Sequence, residues 1–428
     1  MSSEQMFETA EKIERAVLVG IALPHEEWPL EESLKELDSL ITTAGAETVG
    51  TLTQKLDKPH PRTFVGKGKV AEIAQLVGAL QADLVVFDSE LTPTQQSNLE
   101  HEIKGVKIID RTALILDIFA LHATTREGRL QVKLAQTYYL LPRLRGMWAH
   151  LAGHRMGGGV GSRFGEGESQ LEVDRRMVRR RIDSLTAELV KVETERATQR
   201  KSRASSRVFR LALAGYTNAG KSSLLNCLTG ADVLVYDKLF ATLDSTTRRL
   251  ELPDGRVITI TDTVGFIQKL PHTLVESFKS TLDEVREADL IVHVVDAAAE
   301  QREAHILAVQ EVLQEVDAHN VPQLIVLNKS DLLSSAQREV LTKRHPNAVL
   351  FSARSGSGTD ELFSAIVRFA DKASVLMRVL VPYNKGALVR LAHEQTTIIS
   401  EEYVGEGTLL ELSVTEDLVS RFAPYRTG

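Results

Sequence analysis

The chain has 428 residues, 43% of them hydrophobic and 25% charged, which is too long for one ordinary core and predicts two to four domains of soluble globular composition. Its longest apolar stretch, near Leu290 to Ala299, is about ten residues, and the acidic start MSSEQMFETAEKIER has no apolar segment, so no signal peptide and no membrane span are expected. The single cysteine, Cys227, rules out an internal disulfide and fits a cytoplasmic location, and no HExxH, paired CxxC or GxSxG pattern supports zinc or serine hydrolase chemistry.

Residues 1–122 predict a small α/β domain with a largely parallel sheet, because strand and helix patterns alternate. The strands are Arg15 to Leu23, Glu47 to Gln54, Leu84 to Asp88 and Val106 to Asp110; the helices are Leu30 to Ala44, Lys69 to Gln81 and Thr92 to Lys104. Gly66-Lys67-Gly68-Lys69 could hold a phosphate, but it lacks full phosphate-loop spacing and reads first as a Gly-rich helix start, leaving a second nucleotide there as a minor alternative. Asp110-Arg111-Thr112 opens another helix, with Asp110 or Thr112 as its cap.

Residues 123–206 predict a helical hairpin. Leu130, Leu134, Tyr138 and Leu141 fall at helical spacing, and a second helix beginning near Ser169 carries Val178, Ile182, Leu185, Leu189 and Val192 at coiled-coil steps. Net charge is −7 overall, yet Arg126 to Arg207 holds 18 Lys and Arg against 9 Asp and Glu, so +9 sits there and −16 on the remainder. That asymmetry points to a polyanionic partner, with a solvated helix face as the competing reading. Between the helices, Gly146 to Glu168 contains eight glycines with Arg155, Arg163, His150, His154, Trp148 and Phe164. Glycine-rich backbone with basic and aromatic residues suits contact with RNA; the alternative is a flexible linker.

Residues 207–373 predict a nucleotide-binding domain. After the strand Val208 to Ala214, the run Gly215-Tyr216-Thr217-Asn218-Ala219-Gly220-Lys221-Ser222 opens a helix, which is the G-x-x-x-x-G-K-[ST] phosphate loop in its required context. The glycines let successive N–H groups face a polyphosphate, Lys221 reaches the β and γ phosphates, and Ser222 offers its hydroxyl to Mg²⁺. In Phe240-Ala241-Thr242-Leu243-Asp244 a threonine can serve Mg²⁺ and the γ phosphate; Thr242 is the choice, with Thr246 and Thr247 as alternatives. Asp262-Thr263-Val264-Gly265 follows a strand and matches D-x-x-G, where Asp262 holds Mg²⁺ through water and the Gly265 N–H senses the γ phosphate. Asn328-Lys329-Ser330-Asp331 matches N-K-x-D. Its Asp331 carboxylate can accept from both guanine donors, which adenine lacks in that arrangement, while Asn328 and Lys329 brace the loops. Ser352-Ala353-Arg354 completes the set, with the Ala353 N–H expected at the guanine O6. GTP and GDP are thus the expected ligands. Residues 374–428 predict a small α/β domain with strands in VLMRVLVPY and LLELSVT around the stretch Gly386 to Glu406.

Taken together the chain resembles the HflX family of ribosome-associated GTPases nearly end to end, on the strings FVGKGK, DRTALILDIF, GESQLEVDRR, GYTNAGKSS, LFATLD and DTVGF. The resemblance implies a cytoplasmic GTPase, expected as a monomer, that binds the large ribosomal subunit and its RNA and acts in ribosome splitting, rescue or assembly. A scaffold whose nucleotide merely sets its shape, with negligible turnover, is the alternative. Family members usually carry GxRGPGETQLE in the loop; here it reads Gly161-Ser162-Arg163-Phe164-Gly165-Glu166-Gly167-Glu168-Ser169-Gln170. Phe266 follows D-x-x-G where Ras-like proteins place the water-orienting Gln, and matches the family's hydrophobic residue there. No side chain is therefore assigned as catalytic.

Overall fold

The structure is a computed structural model and describes residues 13–24, 28–144, 163–203, 208–230, 239–269, 274, 278–372 and 374–427. The chain groups into two compact units, residues 1–189 with 269–277, and residues 190–268 with 278–428.

The first unit is built on a four-stranded parallel sheet in the order β2-β1-β3-β4, from β1 (Arg15–Ala22), β2 (Glu47–Lys55), β3 (Leu84–Phe87) and β4 (Lys107–Asp110). The inner strands VLVGI and LVVF are continuously apolar because helices cover both faces. On one face Val17, Val19, Val85, Phe87 and Ile108 pack with Val70, Ile73 and Val77 of α2 (Lys67–Leu80) and Leu99 of α3 (Pro93–Glu102). α1 (Leu30–Thr43) and α4 (Arg111–His122) also pack on this sheet and on each other. Edge strand β2 carries ETVGTLTQK, whose exposed polar positions suit an unpaired edge.

Of the two caps considered for α4, Asp110 is the one used. Its Oδ1 accepts from Ala113 N–H at 2.9 Å, while Thr112 is buried inside the helix. α5 (Arg126–Leu140) packs on α4. The long α6 (Arg163–Arg203) starts earlier than Ser169, so the last six residues of the expected loop, 163–168, are helical. Residues 146–162 of the same expected loop lie outside the described residues. Ile182, Leu185 and Leu189 of the expected seam are buried, and Val178 and Val192 are half-buried.

The second unit holds a six-stranded sheet in the order β10-β9-β8-β5-β7-β6, parallel except for edge strand β6, which runs antiparallel to β7. The strands are β5 (Arg210–Gly215), β6 (Thr246–Glu251), β7 (Val257–Asp262), β8 (Leu290–Asp296), β9 (Gln323–Asn328) and β10 (Val349–Leu350). Its helices are α7 (Lys221–Thr229), α8 (Lys279–Arg286), α9 (Arg302–Glu315), α10 (Ser335–Arg344) and α11 (Thr359–Lys372). Leu224 and Leu225 of α7 and Leu362 and Ile366 of α11 complete the core with Leu211, Leu213, Val292 and Val326; Cys227 packs partly buried against it as a structural residue.

The C-terminal residues form an antiparallel sheet β11-β13-β12, from β11 (Ser374–Val381), β12 (Thr397–Val404) and β13 (Gly407–Thr415), with α12 (Gly386–Gln395) and α13 (Glu416–Phe422). The stretch between the two predicted strands thus contains a helix and a third strand. Its TIISEEYV half-hides its period under two adjacent glutamates, and pairing with β13 decides it.

Candidate nucleotide site

The second unit brings the phosphate loop, D-x-x-G, N-K-x-D and Ser352-Ala353-Arg354 to the carboxyl ends of parallel strands, where open α/β sheets bind ligands. Gly215 ends β5, and Tyr216 to Gly220 make the turn into α7. Gly220 is required twice over: its φ is +91°, and a Cβ would run into Asn328 Nδ2. That amide donates to Ala219 O at 2.9 Å, so Asn328 braces the phosphate loop. Thr217, Asn218, Lys221, Ser222, Thr242 and Gly265 are among the residues lining one groove.

Lys221 is buried, and its Nζ donates to the Gly215 and Tyr216 carbonyls at 3.2 and 3.0 Å. Burial pushes the ammonium down to about 8, with Asp262 opposing. Ser222 Oγ stands 2.8 Å from Thr242 Oγ1 and donates to Asp262 Oδ2 at 2.6 Å. Burial raises the Asp262 carboxyl, and its Oδ1 has no hydrogen-bond partner; Thr217 Oγ1 is equally unpartnered. Two hydroxyls, from α7 and the 239–245 connection, therefore converge on the buried β7 carboxylate with its unmet lone pair, a hard donor set that fits Mg²⁺. The alternatives to Thr242 lie in β6 instead, and Thr247 Oγ1 meets Thr261 Oγ1 at 3.0 Å.

The remaining switch residues divide into supports and groove walls. Phe240 and Leu243 are buried anchors, Thr263 Oγ1 donates to Leu213 O at 2.6 Å, and Val264 is buried, so the side chains of these four hold the loops in place. Ala241 lines the groove, and Asp244 lies two residues beyond Thr242 in the same connection.

On the base side, Lys329 pairs with Asp296 at 2.7 Å and Ser330 N–H donates to Phe351 O at 3.0 Å. Asp331 is exposed. Its Oδ1 accepts from Ser352 Oγ at 2.6 Å, the main cause of its lowered carboxyl, with exposed Arg354 adding a smaller effect. The Ala353 N–H, expected at the guanine O6, donates here to Asn328 Oδ1 at 3.0 Å. Asn328 thus clips both neighbouring loops, and an O6 acceptor would have to share or replace it.

Two side chains escape sequence reasoning. Tyr216 occupies a variable position of its motif, yet its ring stacks on His305, with centroids 4.0 Å apart and 17° between planes. His293 of β8 is buried with Nδ1 unpartnered, and burial, then the Lys221 charge, holds its imidazole at about 4. Neither carries a motif signal.

Three family models match the chain: "GTP-binding GTPase N-terminal" over residues 31–120, "GTP-binding GTPase Middle Region" over 122–203 and "50S ribosome-binding GTPase" over 210–329. The chain is 46% identical to a GTPase HflX of Caldanaerobacter subterraneus subsp. tengcongensis, over 98% of this chain and 95% of that protein. It is 43% identical to a GTPase HflX of Escherichia coli K12, over 97% and 96%. A GTP-binding protein of Sulfolobus solfataricus solved in complex with GDP aligns over 84% of this chain and 99% of that one, at 22% identity and a TM-score of 0.45.

Proposed function

Because the chain belongs to the HflX family of GTPases and is a GTP-hydrolysing enzyme, we propose that it acts as a cytoplasmic monomer on the large ribosomal subunit, in splitting, rescue or assembly. The observation that carries this reading is the face of α6 on which Arg176, Arg179 and Arg180 stand exposed at helical i, i+3, i+4 spacing, with exposed Arg181 beside them. A row of guanidiniums at that pitch suits successive phosphates of an RNA backbone. The matched family description, "50S ribosome-binding GTPase", names the same partner.

At the nucleotide, Lys221 and the loop N–H groups hold the phosphates, and Asp331 selects guanine. Ser222 and Thr242, with Asp262 through water, would hold Mg²⁺, which supplies neutralisation of the phosphate charge. Phe266 offers no amide to the attacking water, so turnover alone is slow and a partner that fixes the loops accelerates it.

The test is cosedimentation with large subunits, with GTP analogue and with GDP, across salt. Neutralising Arg176, Arg179, Arg180 and Arg181 should flatten the slope of log K against log salt by about 3. Unchanged slope, or hydrolysis that does not rise when large subunits are added, would remove the ribosomal partner.

A further inference from the structure

The segment after D-x-x-G is stitched to the phosphate loop. Phe266 N–H donates to Gly215 O at 3.1 Å, and Thr217 N–H donates to Phe266 O at 2.7 Å, making a parallel bridge between Tyr216 and Phe266. A third bond comes from a side chain: Gln268 N–H donates to the Tyr216 hydroxyl at 2.7 Å. Gly265, immediately upstream, lies so close that a Cβ would sit 2.9 Å from Thr217 Cγ2 and 3.0 Å from Lys221 Nζ. Phe266 itself is buried, at 1% exposure.

Tyr216 is well held. The residue is 5% exposed and its ring stacks on His305 of α9, whose imidazole is kept at about 4 by burial and so is neutral at pH 7. A rigid ring carrying a hydroxyl that meets a backbone N–H defines where residue 268 lies, and the two bridge bonds define residue 266. The backbone between is pinned at both ends, directly beside the Gly265 N–H that reads the γ phosphate. Alignment of this kind matters because an error of about 1 Å near reacting groups can cost about 100-fold in rate.

We propose that Tyr216 is a positioning residue for GTP hydrolysis: through the Gln268 N–H it clamps the D-x-x-G backbone onto the phosphate loop, a backbone alignment in the place where Ras-like proteins use a glutamine side chain. The clamp rests on reading Gly215 to Ser222 as the phosphate loop, and GDP affinity separates failure of that reading from failure of the clamp.

Tyr216→Phe keeps the ring and the stack and deletes the hydroxyl that accepts from the Gln268 N–H. Single-turnover hydrolysis should fall about 3- to 10-fold, the worth of one net hydrogen bond, while KM for GTP and Kd for GDP stay within about twofold, since one such bond lost from binding would move them further. Gln268→Pro deletes the donor from the other end. If both act through one contact, the double variant is no slower than the slower single one. An unchanged single-turnover rate in Tyr216→Phe, or losses that multiply in the double variant, would overturn the clamp. A parallel loss of GDP affinity would also overturn it, because Tyr216 would then be supporting the phosphate loop itself.

Discussion

Each of the two units buries charge completely, and the two clusters are finished differently. In the first unit Arg111 and Asp88 are each 1% exposed. Arg111 donates to Asp88 Oδ1 at 2.7 Å, to Ser33 O at 2.8 Å and to Glu36; Asp88 Oδ2 accepts from Ser33 Oγ at 2.8 Å and from Lys269 Nζ at 2.7 Å. Close by, Asp110 accepts from Leu91 N–H, Ala113 N–H, the Tyr139 hydroxyl and Arg143, whose guanidinium also lies 3.5 Å over the Tyr139 ring. In the second unit Asp262 Oδ1, Thr217 Oγ1 and His293 Nδ1 are buried and make no hydrogen bond. A buried charge with both oxygens partnered is architecture, whereas one left short beside a groove is prepared for a ligand. Asp88 follows β3 beside β1, at the sheet's topological switch point, a usual ligand crevice. Here that place is filled by the chain's own ion pairs.

That contrast can be broken most forcefully at the ligand side. Asp331→Asn replaces an acceptor with a donor opposite the guanine edge, so the preference for GTP over xanthosine triphosphate should fall by about 10⁴ and reverse, measured by competitive nucleotide binding. Equal binding of ATP and GTP by the unmodified protein would end the assignment.

Next comes the architectural side. Arg111→Leu removes the buried guanidinium that Asp88 and Glu36 share and should destabilise the first unit by about 3–5 kcal/mol in denaturant unfolding. The corresponding cut in the second unit should behave in the opposite way. Asp262→Asn removes a buried charge whose needs are unmet, so nucleotide-free stability should stay within about 1 kcal/mol of the original, while Mg²⁺-dependent GTP affinity falls about 10- to 100-fold. If Asp262→Asn unfolds the protein as Arg111→Leu does, the distinction between finished and unfinished clusters is lost.

The smallest effect sharpens the comparison through pH. Burial works to raise the Asp88 carboxyl, but the Arg111 and Lys269 charges and their hydrogen bonds outweigh it and hold it below its ordinary value. Its contribution is therefore full above the unfolded pKa, about 4, and is lost as pH falls through the lower folded value. Unfolding midpoints of the first unit should drop below about pH 4, and the drop should be shallower in Asp88→Asn.

By itself the sequence determined what is local. The phosphate loop, D-x-x-G and N-K-x-D are each a strand end running into a turn, so backbone geometry and chemistry occupy consecutive residues such as Gly220-Lys221-Ser222, and the alternating βα pattern of both sheets is written as periodicity. In DRTALILDIF a helix start capped by Asp110 or Thr112 was legible; that Asp110 is the cap used and also holds Arg143, and that Arg111 anchors a buried ion cluster, needed the fold. Tertiary structure set Thr242, already the preferred threonine, beside Ser222, paired β12 with β13, and turned Tyr216 from a variable loop residue into a contact of Gln268. For the side-chain contacts the physical reason is the same: a hydrogen bond between residues 20 to 52 positions apart leaves no periodic trace in either segment, because its partners meet only after hydrophobic burial has brought their elements together.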